Sequence, residues 1–466
     1  MLFLHWTEGL ISQENPKQSN RLRQRCRMDE RPVFPGAAQG ERVRVMRACI
    51  LGAGVIGLAT AWELAERGIE VTIVDRRGEP GAGASFANGG QLSYSYVTPL
   101  ASPDTLRKLP GLLLSPAAPI RIRPTLDPDF LRWSLAFLSA CTDRMLRETT
   151  TAQLALAALS HKVLAQLTTA QRLAFGLQAA GRLVVYRKAA SFAAARRQSA
   201  LQAGIDGVAQ QILSSVECLE TEPGLRMDPG QLAGGVYTAS DEVGDCRAFC
   251  QELAARLQRR NGVSWLLNTN VYSLVTRGDA VHAVATSQGE VDADVVVVAL
   301  GAETPRIARH LGFRLPVYPM KGYSITAQPA PGARAPAHSV VDFERKIVFA
   351  PMQEHGKRVV RVAGIADLVG FDPSIDEDRL STLTRQAGDT LDLDLESDVR
   401  PWAGLRPATP DGRPIIGWSP VRNLFLNTGH GSLGWTLACG SARLAAELIA
   451  AEPPSVRPEW FSLRRE

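Results

Sequence analysis

The chain has 466 residues, 45% of them hydrophobic and 21% charged, with a formal net charge of +5. That length exceeds a single small core, the composition is that of ordinary soluble globular proteins, and a mild charge without long basic blocks interleaved with aromatics argues against nucleic-acid binding. Seven scattered cysteines, with no C-x-x-C pair and no zinc spacing, exclude a disulfide framework or metal cluster and suit a reducing compartment.

No apolar run approaches the roughly 18 residues of a membrane span. The first residues, MLFLHWTEGLISQENPK, lack the basic start and long apolar stretch of a signal peptide. The expected location is the cytoplasm, with a peripheral contact on the inner face of the plasma membrane left open. Residues 1–45 are polar and arginine-rich, broken by Pro16, Pro32 and Pro35, and show no sustained periodicity. They read as a disordered extension or as sequence upstream of a true start at Met46.

From Arg47 to Asp75 the chain reads RACILGAGVIGLATAWELAERGIEVTIVD. An apolar run is followed at once by G-x-G-x-x-G (Gly52, Gly54, Val55, Ile56, Gly57), a helical pattern ending near Gly68, and a second apolar run closed by Asp75. This order predicts a strand–loop–helix–strand unit for a dinucleotide. Gly52 permits the tight turn, Gly54 lets backbone approach a pyrophosphate, and Gly57 lets helix and strand pack closely. The helix N-terminus offers N–H groups and a partial positive charge to phosphates, and Asp75 can accept from ribose hydroxyls. The following loop, RRGEPGAGASFANGG, is rich in small residues whose N–H groups can meet the same ligand.

Further on, Leu106–Arg123 mixes leucines with Arg107, Lys108, Arg121 and Arg123, a pattern that either touches an anionic lipid surface or packs its leucines and solvates its charges. Asp127 followed by Pro128 predicts a capped helix start, with Phe130, Phe137, Leu138 and Cys141 on one face. A second helix is expected over 151–177, and a strand at 181–186. Helix 247–260 then leads into short strands at 263–267, 271–276 and 281–285. The run VDADVVVVALG at 291–301 suits a strand buried on both faces. Antiparallel strands are expected over 314–327 and 346–365, and a helix over 376–391. The end of the chain carries GLRPATPDGRPIIG at 404–417 and TGHGSLGWTLAC at 428–439, a second glycine-rich helix start.

MRACILGAGVIG, SFANGGQLSYSYVTPLA, DEVGDCRAFC, VYPMKGYSIT, GLRPATPDGRPIIG and LNTGHGSLGWTLACGSA follow one another in a fixed order, and together they resemble the respiratory D-amino acid dehydrogenases. These belong to the FAD-dependent amine and amino-acid oxidoreductases, and the resemblance covers nearly everything after Met46. It implies an α/β fold with a discontinuous Rossmann-like FAD-binding domain (46–95, 240–312 and 398–466). An α+β substrate domain with an antiparallel sheet (96–239 and 313–397) would complete it. It implies noncovalent FAD, consistent with the lack of any cysteine between Cys250 and Cys439. The implied reaction is oxidation of the Cα–N bond of a D-amino acid, hydride passing from Cα to flavin N5 and the imino acid hydrolysing to a 2-oxo acid and ammonia. Electrons would go on to a quinone or other respiratory acceptor.

For the substrate, Arg406 is expected to grip the carboxylate with its planar fork. Tyr323 is a candidate for lining the pocket or donating to that carboxylate, and His430 for a flavin contact or a base. The expected cofactor shell is Gly52, Gly54, Val55, Ile56, Gly57, Asp75, Arg76, Ser85, Asn88, Gly90, Gln91, Val271, Gly301, Gly429, His430, Gly431, Ser432, Leu433, Gly434 and Trp435. The N–H groups from Gly431 to Gly434 would face charge building at the reduced flavin. Two rivals stay open: a glycine- or sarcosine-type oxidase using O2, and a non-catalytic flavoprotein subunit of an electron-transfer complex. A nicotinamide enzyme would have no evident use for the late glycine-rich helix.

Overall fold

A computed structural model describes residues 45–465, apart from 96, 98, 108–117, 124, 203–208 and 355. The reading of residues 1–45 therefore lies, but for Val45, outside the described residues, as does most of the leucine-rich stretch at 106–123. Arg121, expected among the charges there, pairs instead with Asp367 and Asp376, each at 2.7 Å.

The opening motif folds as its spacing dictates: strand β1 (Arg47–Leu51), helix α1 (Val55–Glu66) and strand β2 (Glu70–Val74). β1 is central in a six-stranded sheet, parallel to β2 on one side and to Val295–Val298 on the other. Val263–Leu266 and Leu424–Thr428 extend it in parallel, and Ile415–Trp418 closes one edge antiparallel. Its continuous apolar runs follow from burial on both faces. Ala48, Ile50, Val71, Ile73, Val295 and Val297 pack on the face with α1, helix Cys246–Leu257 and helix Gly434–Ile449. Cys49, Leu51, Val74, Val296 and Val298 pack on the other face with Leu274, Val281 and Val284 from the hairpin strands that follow.

A second, largely antiparallel sheet of ten strands contains β3 (Tyr318–Pro329), β4 (Ile347–Glu354) and β5 (Lys357–Leu368), with helix α2 (Glu377–Gly388) behind it. Strand β6 (Arg400–Ala408) pairs along β3 in the register Met320↔Arg406, Gly322↔Gly404 and Ser324↔Trp402. On the other side β3 pairs with β5, with a bulge between Gly322 and Tyr323 that leaves Ile365 at a positive φ of 56°. Alternation then gives the sheet two faces. Tyr323, Ile325 and Val362 pack toward Leu383 and Ala387 of α2, and the opposite face carries Gly322, Ser324, Gly404 and Arg406.

Among the helices, Asp127 caps Pro128–Ala140 through the N–H of Asp129, as its Asp-Pro start predicts. Its inward residues are Phe130, Trp133 and Ala140, whereas Leu138 is 39% exposed because the helix lies over the rim rather than inside the core. The next helix begins at Asp143, eight residues before its expected start, because the Thr142 hydroxyl caps it by accepting from Met145 N–H.

Candidate active site

A cavity of about 960 Å³ lies between the parallel sheet's C-terminal edge and the antiparallel sheet. At one end stands the loop between β1 and α1. Gly52 has φ of 111°, and a Cβ there would stand 2.6 Å from the Ala299 carbonyl oxygen, so only glycine fits. Gly57 does not face the cavity; its missing Cβ lets α1 pass over the Gly52 carbonyl. Asp75 accepts from Ala53 N–H at 2.7 Å and from Arg77 N–H at 2.8 Å, which ties β2 to the glycine loop while its carboxylate borders the cavity. Ser85 accepts from Val55 N–H at 3.1 Å, so the loop after β2 is fastened to the start of α1.

At the other end lies helix α3 (Gly434–Ile449), preceded by a short 3-10 turn over Gly431–Leu433. Neither α1 nor α3 is capped by the side chain of its own N-cap residue, Ser85 taking up only the Val55 N–H of α1, whereas Asp127, Thr142, Asp245 and Asp376 cap four helices elsewhere. Two helix starts with N–H groups left for a ligand thus open into one cavity, the arrangement that suits a long anionic dinucleotide. Its volume sits at the upper end of the roughly 300–1,000 Å³ usual for small-molecule sites, enough for such a cofactor and a small substrate.

Of the sequence-derived residues, Gly52, Gly54, Val55, Ile56, Asp75, Arg76, Ser85, Asn88, Gly90, Gln91, Val271 and Gly301 border this cavity. So do His430, Gly431, Ser432, Leu433, Gly434 and Trp435, together with Tyr323 and Arg406. Gly57 and Gly429 stand behind the wall; Gly429, at φ of 79°, turns the chain against Thr409. Arg76 is half-exposed and lies 3.5 Å from Glu303. Gln91 donates to Ser339.

The three candidate catalytic side chains do not converge. Arg406 reaches over Gly322 on the cavity face of the antiparallel sheet, and no hydrogen bond or ion pair ties it to another described residue. Burial pushes its guanidinium below the ordinary arginine range, with no acid beside it to offset the cost. Tyr323 belongs to the other face of the same strand. It is fully buried, and its hydroxyl donates to Asp367 at 2.9 Å, away from Arg406. Burial, reinforced by the Asp367 carboxylate, pushes its phenol up. His430 is buried, its Nε2 lies 2.8 Å from Ser441 Oγ on α3, and burial holds the imidazole pKa down to about 3. A neutral ring bonded to the helix suits a brace for the Gly431–Gly434 turn better than a proton acceptor.

Residue chemistry alone passes over several wall residues: Gly322, Ser324, Lys346, Val348, Ala363, Trp402 and Gly404. The one available signal is the isolated glycine inside the expected strand KGYSIT, which marks close approach of another group; no strand is expected from sequence where Arg400–Ala408 forms one.

The FAD dependent oxidoreductase (DAO) family profile matches residues 47–448. A D-amino acid dehydrogenase 2 of Pseudomonas aeruginosa is 45% identical over 88% of this chain and 96% of its own length. One from Ralstonia nicotianae is 42% identical over 90% of this chain and all of its own length. Among solved structures, glycine oxidase from Geobacillus kaustophilus superposes with a TM-score of 0.68 at 24% identity, covering 91% of this chain and 100% of its own. L-proline dehydrogenase from P. horikoshii gives 0.69 at 18% over 90% of this chain and 97% of its own, a likeness of fold. With a matched profile over most of its length and relatives more than 40% identical over nearly nine-tenths of it, the chain belongs to the FAD-dependent oxidoreductases of this family.

Proposed function

We propose that the protein oxidatively deaminates D-amino acids to 2-oxo acids and ammonia and passes the electrons to a quinone or other respiratory acceptor. The observation that carries this is Arg406, a guanidinium without an acidic partner inside the cofactor cavity. An unpaired cation partly withdrawn from water is costly, and a substrate carboxylate offers the bidentate partner it lacks. The names of the relatives from Pseudomonas aeruginosa and Ralstonia nicotianae support the D-amino acid as substrate.

In this reading the residues from Gly52 to Ile56, Asp75, Ser85 and Gly301 hold the ADP half of noncovalent FAD, and Gly431–Gly434 at the start of α3 face its flavin end. Bound FAD supplies the two-electron oxidation of the Cα–N bond. The chain's own groups do the rest. Arg406 fixes the carboxylate, the β3–β6 face excludes water from the reacting side, and the positive start of α3 favours negative charge beside it. Segments 46–95, 240–312 and 398–466 form the cofactor side and 96–239 with 313–397 the substrate side, with β6 hydrogen-bonded into the substrate-side sheet.

Among the described residues no helix is long and apolar enough to cross a membrane. A peripheral contact for quinone delivery is supported by the exposed leucines 126, 131, 135 and 138 around helix Pro128–Ala140.

The test is anaerobic mixing with D- and L-amino acids, scored by loss of flavin absorbance. Bleaching by D-amino acids alone is expected, and bleaching by none sinks the reading. Arg406→Ala is expected to lower kcat/KM roughly 100-fold or more, mostly through KM, with FAD retained, since hydrogen bonds to a charged group are worth about 1.5–3 kcal/mol each. Steady peroxide production equal to turnover would move the acceptor from quinone to O2.

A further inference from the structure

On the cavity face of the antiparallel sheet, Gly322 of β3 and Gly404 of β6 stand directly opposite one another. Neither space is empty. A Cβ on Gly322 would lie 2.3–2.6 Å from Nη2, Cζ and Nε of Arg406, and one on Gly404 would lie 2.0–2.8 Å from the six-membered ring of Trp402. The guanidinium and the indole tip therefore each occupy the place of a missing methyl group. Directly opposed Cβ positions are about 4.5–5.5 Å apart, so charged fork and aromatic ring sit side by side over the glycine pair. In an α-amino acid the side chain branches one bond from the carboxylate carbon, so a carboxylate held by Arg406 brings the side chain within reach of Trp402.

The surroundings select among side chains. The row crossing the sheet at Trp402 continues through Ser324, Ala363 and Val348. Ser324 is already committed, its hydroxyl donating to the Ala87 carbonyl at 2.6 Å. The only acids among the described wall residues are Asp75 and Glu303, both on the parallel-sheet side. A cationic side chain would find no carboxylate here, whereas an apolar or aromatic one finds an indole, an alanine and a valine.

We propose that Trp402 is a specificity-determining residue that meets the substrate's side chain and selects apolar and aromatic D-amino acids. Gly322 is the positioning residue for Arg406, and Gly404 is the positioning residue for Trp402. This rests on the D-amino acid reading above.

The two glycines separate carboxylate from side-chain recognition. Gly322→Ala drives the guanidinium aside by about 1 Å, a displacement that can cost 10²-fold. It should lower kcat/KM for D-alanine, D-leucine and D-phenylalanine by roughly the same factor. Gly404→Ala leaves Arg406 seated and pushes the indole away. It should reduce the D-phenylalanine over D-alanine preference by about 10- to 100-fold, the range expected for a lost apolar contact. Trp402→Leu should do the same, chiefly by raising KM for D-phenylalanine, and Trp402→Phe should restore part of the preference. FAD content and thermal midpoint, measured on each holoenzyme, identify any variant that fails to fold, and Trp402→Phe, the mildest change, keeps the comparison open.

If wild type oxidises D-amino acids but Trp402→Leu and Trp402→Phe keep its D-phenylalanine to D-alanine ratio, the inference falls while the functional reading stands. Equal effects of both glycine variants on every substrate would also overturn it. If wild type prefers D-lysine or D-arginine, the side-chain assignment is wrong. If it oxidises no D-amino acid, both fall together.

Discussion

Gly57→Ala tests the physical basis of the cofactor site more directly than any change of a charged group. The substituted Cβ would lie 1.8 Å from the Gly52 carbonyl oxygen, 3.0 Å from its carbon and 3.5 Å from Ala299 Cβ. To reach the 3.0 Å below which real Cβ contacts essentially never occur, the gap to that oxygen must open by about 1.2 Å. Neither side yields cheaply. Gly52 is wedged against the Ala299 carbonyl, and α1 is packed through Leu58, Ala61 and Leu64 into the main core. The start of α1 must therefore lift away from the loop, and the N–H groups at that start, proposed to hold the cofactor's pyrophosphate, lift with it. Overpacking of this kind costs about 1–3 kcal/mol. If that strain falls on the cofactor-bound form, FAD affinity drops roughly 5- to 150-fold. FAD titration of apoprotein, followed by protein fluorescence and by thermal midpoint with and without FAD, measures this. A Kd within twofold of wild type, with an unchanged midpoint, would show that the close helix–loop approach does not govern the site.

Two further perturbations probe buried charge. His430 is neutral in the native state because burial holds its pKa down to about 3, against 6.5 for an exposed imidazole. Below pH 6.5 the unfolded chain takes up a proton that the folded one refuses, so this stability is complete above pH 6.5 and is lost as pH falls toward 3, by about 1.4 kcal/mol per pH unit. Thermal midpoints of wild type should fall more steeply than those of His430→Asn between about pH 6.5 and 5. Parallel curves would contradict the assignment. Arg182 and Asp241 form an ion pair at 2.7 Å with both side chains about 1% exposed. Asp241→Ala should destabilise by about 3–5 kcal/mol, and Asp241→Ala with Arg182→Met by less, because the second change also removes the buried charge that Asp241 offsets. Chemical denaturation of both variants decides it; a double variant no more stable than the single one would refute the argument.

The cofactor half of the site was legible because its chemistry is local. A tight turn, a close helix and an acid at the end of the next strand are all set by spacing within thirty residues, and each lands where that spacing puts it. The late helix start at Gly431–Gly434 was legible for the same reason. Element boundaries slipped where a side chain did the work. Thr142 starts a helix eight residues early by capping it, and nothing in the apolar pattern registers a hydroxyl. Helix Pro128–Ala140 shows a stripe of apolar residues on one face, but periodicity does not tell how much of that stripe is covered, and Leu138 stays 39% exposed.

The substrate side resisted for a deeper reason, visible in the neighbours Gly322 and Tyr323. A strand's side chains alternate between faces, so a one-residue difference in register exchanges the cavity for the far side. Here the uninterrupted pairing of β3 with β6 puts Gly322 on the face of Gly404 and Arg406 and Tyr323 on the other, while the bulge opposite them, with Ile365 in the left-handed region, shifts only β5. Judged by residue chemistry, Tyr323 is the better candidate, since it carries a hydroxyl and glycine carries nothing. In the fold the hydroxyl goes to Asp367 behind the sheet, and the missing side chain of Gly322 makes the space that Arg406 fills. The family resemblance singles out Arg406 as the candidate carboxylate ligand, and arginine's planar fork suits that task. Its placement comes from a residue on another strand, some eighty positions earlier, whose contribution is the absence of a methyl group.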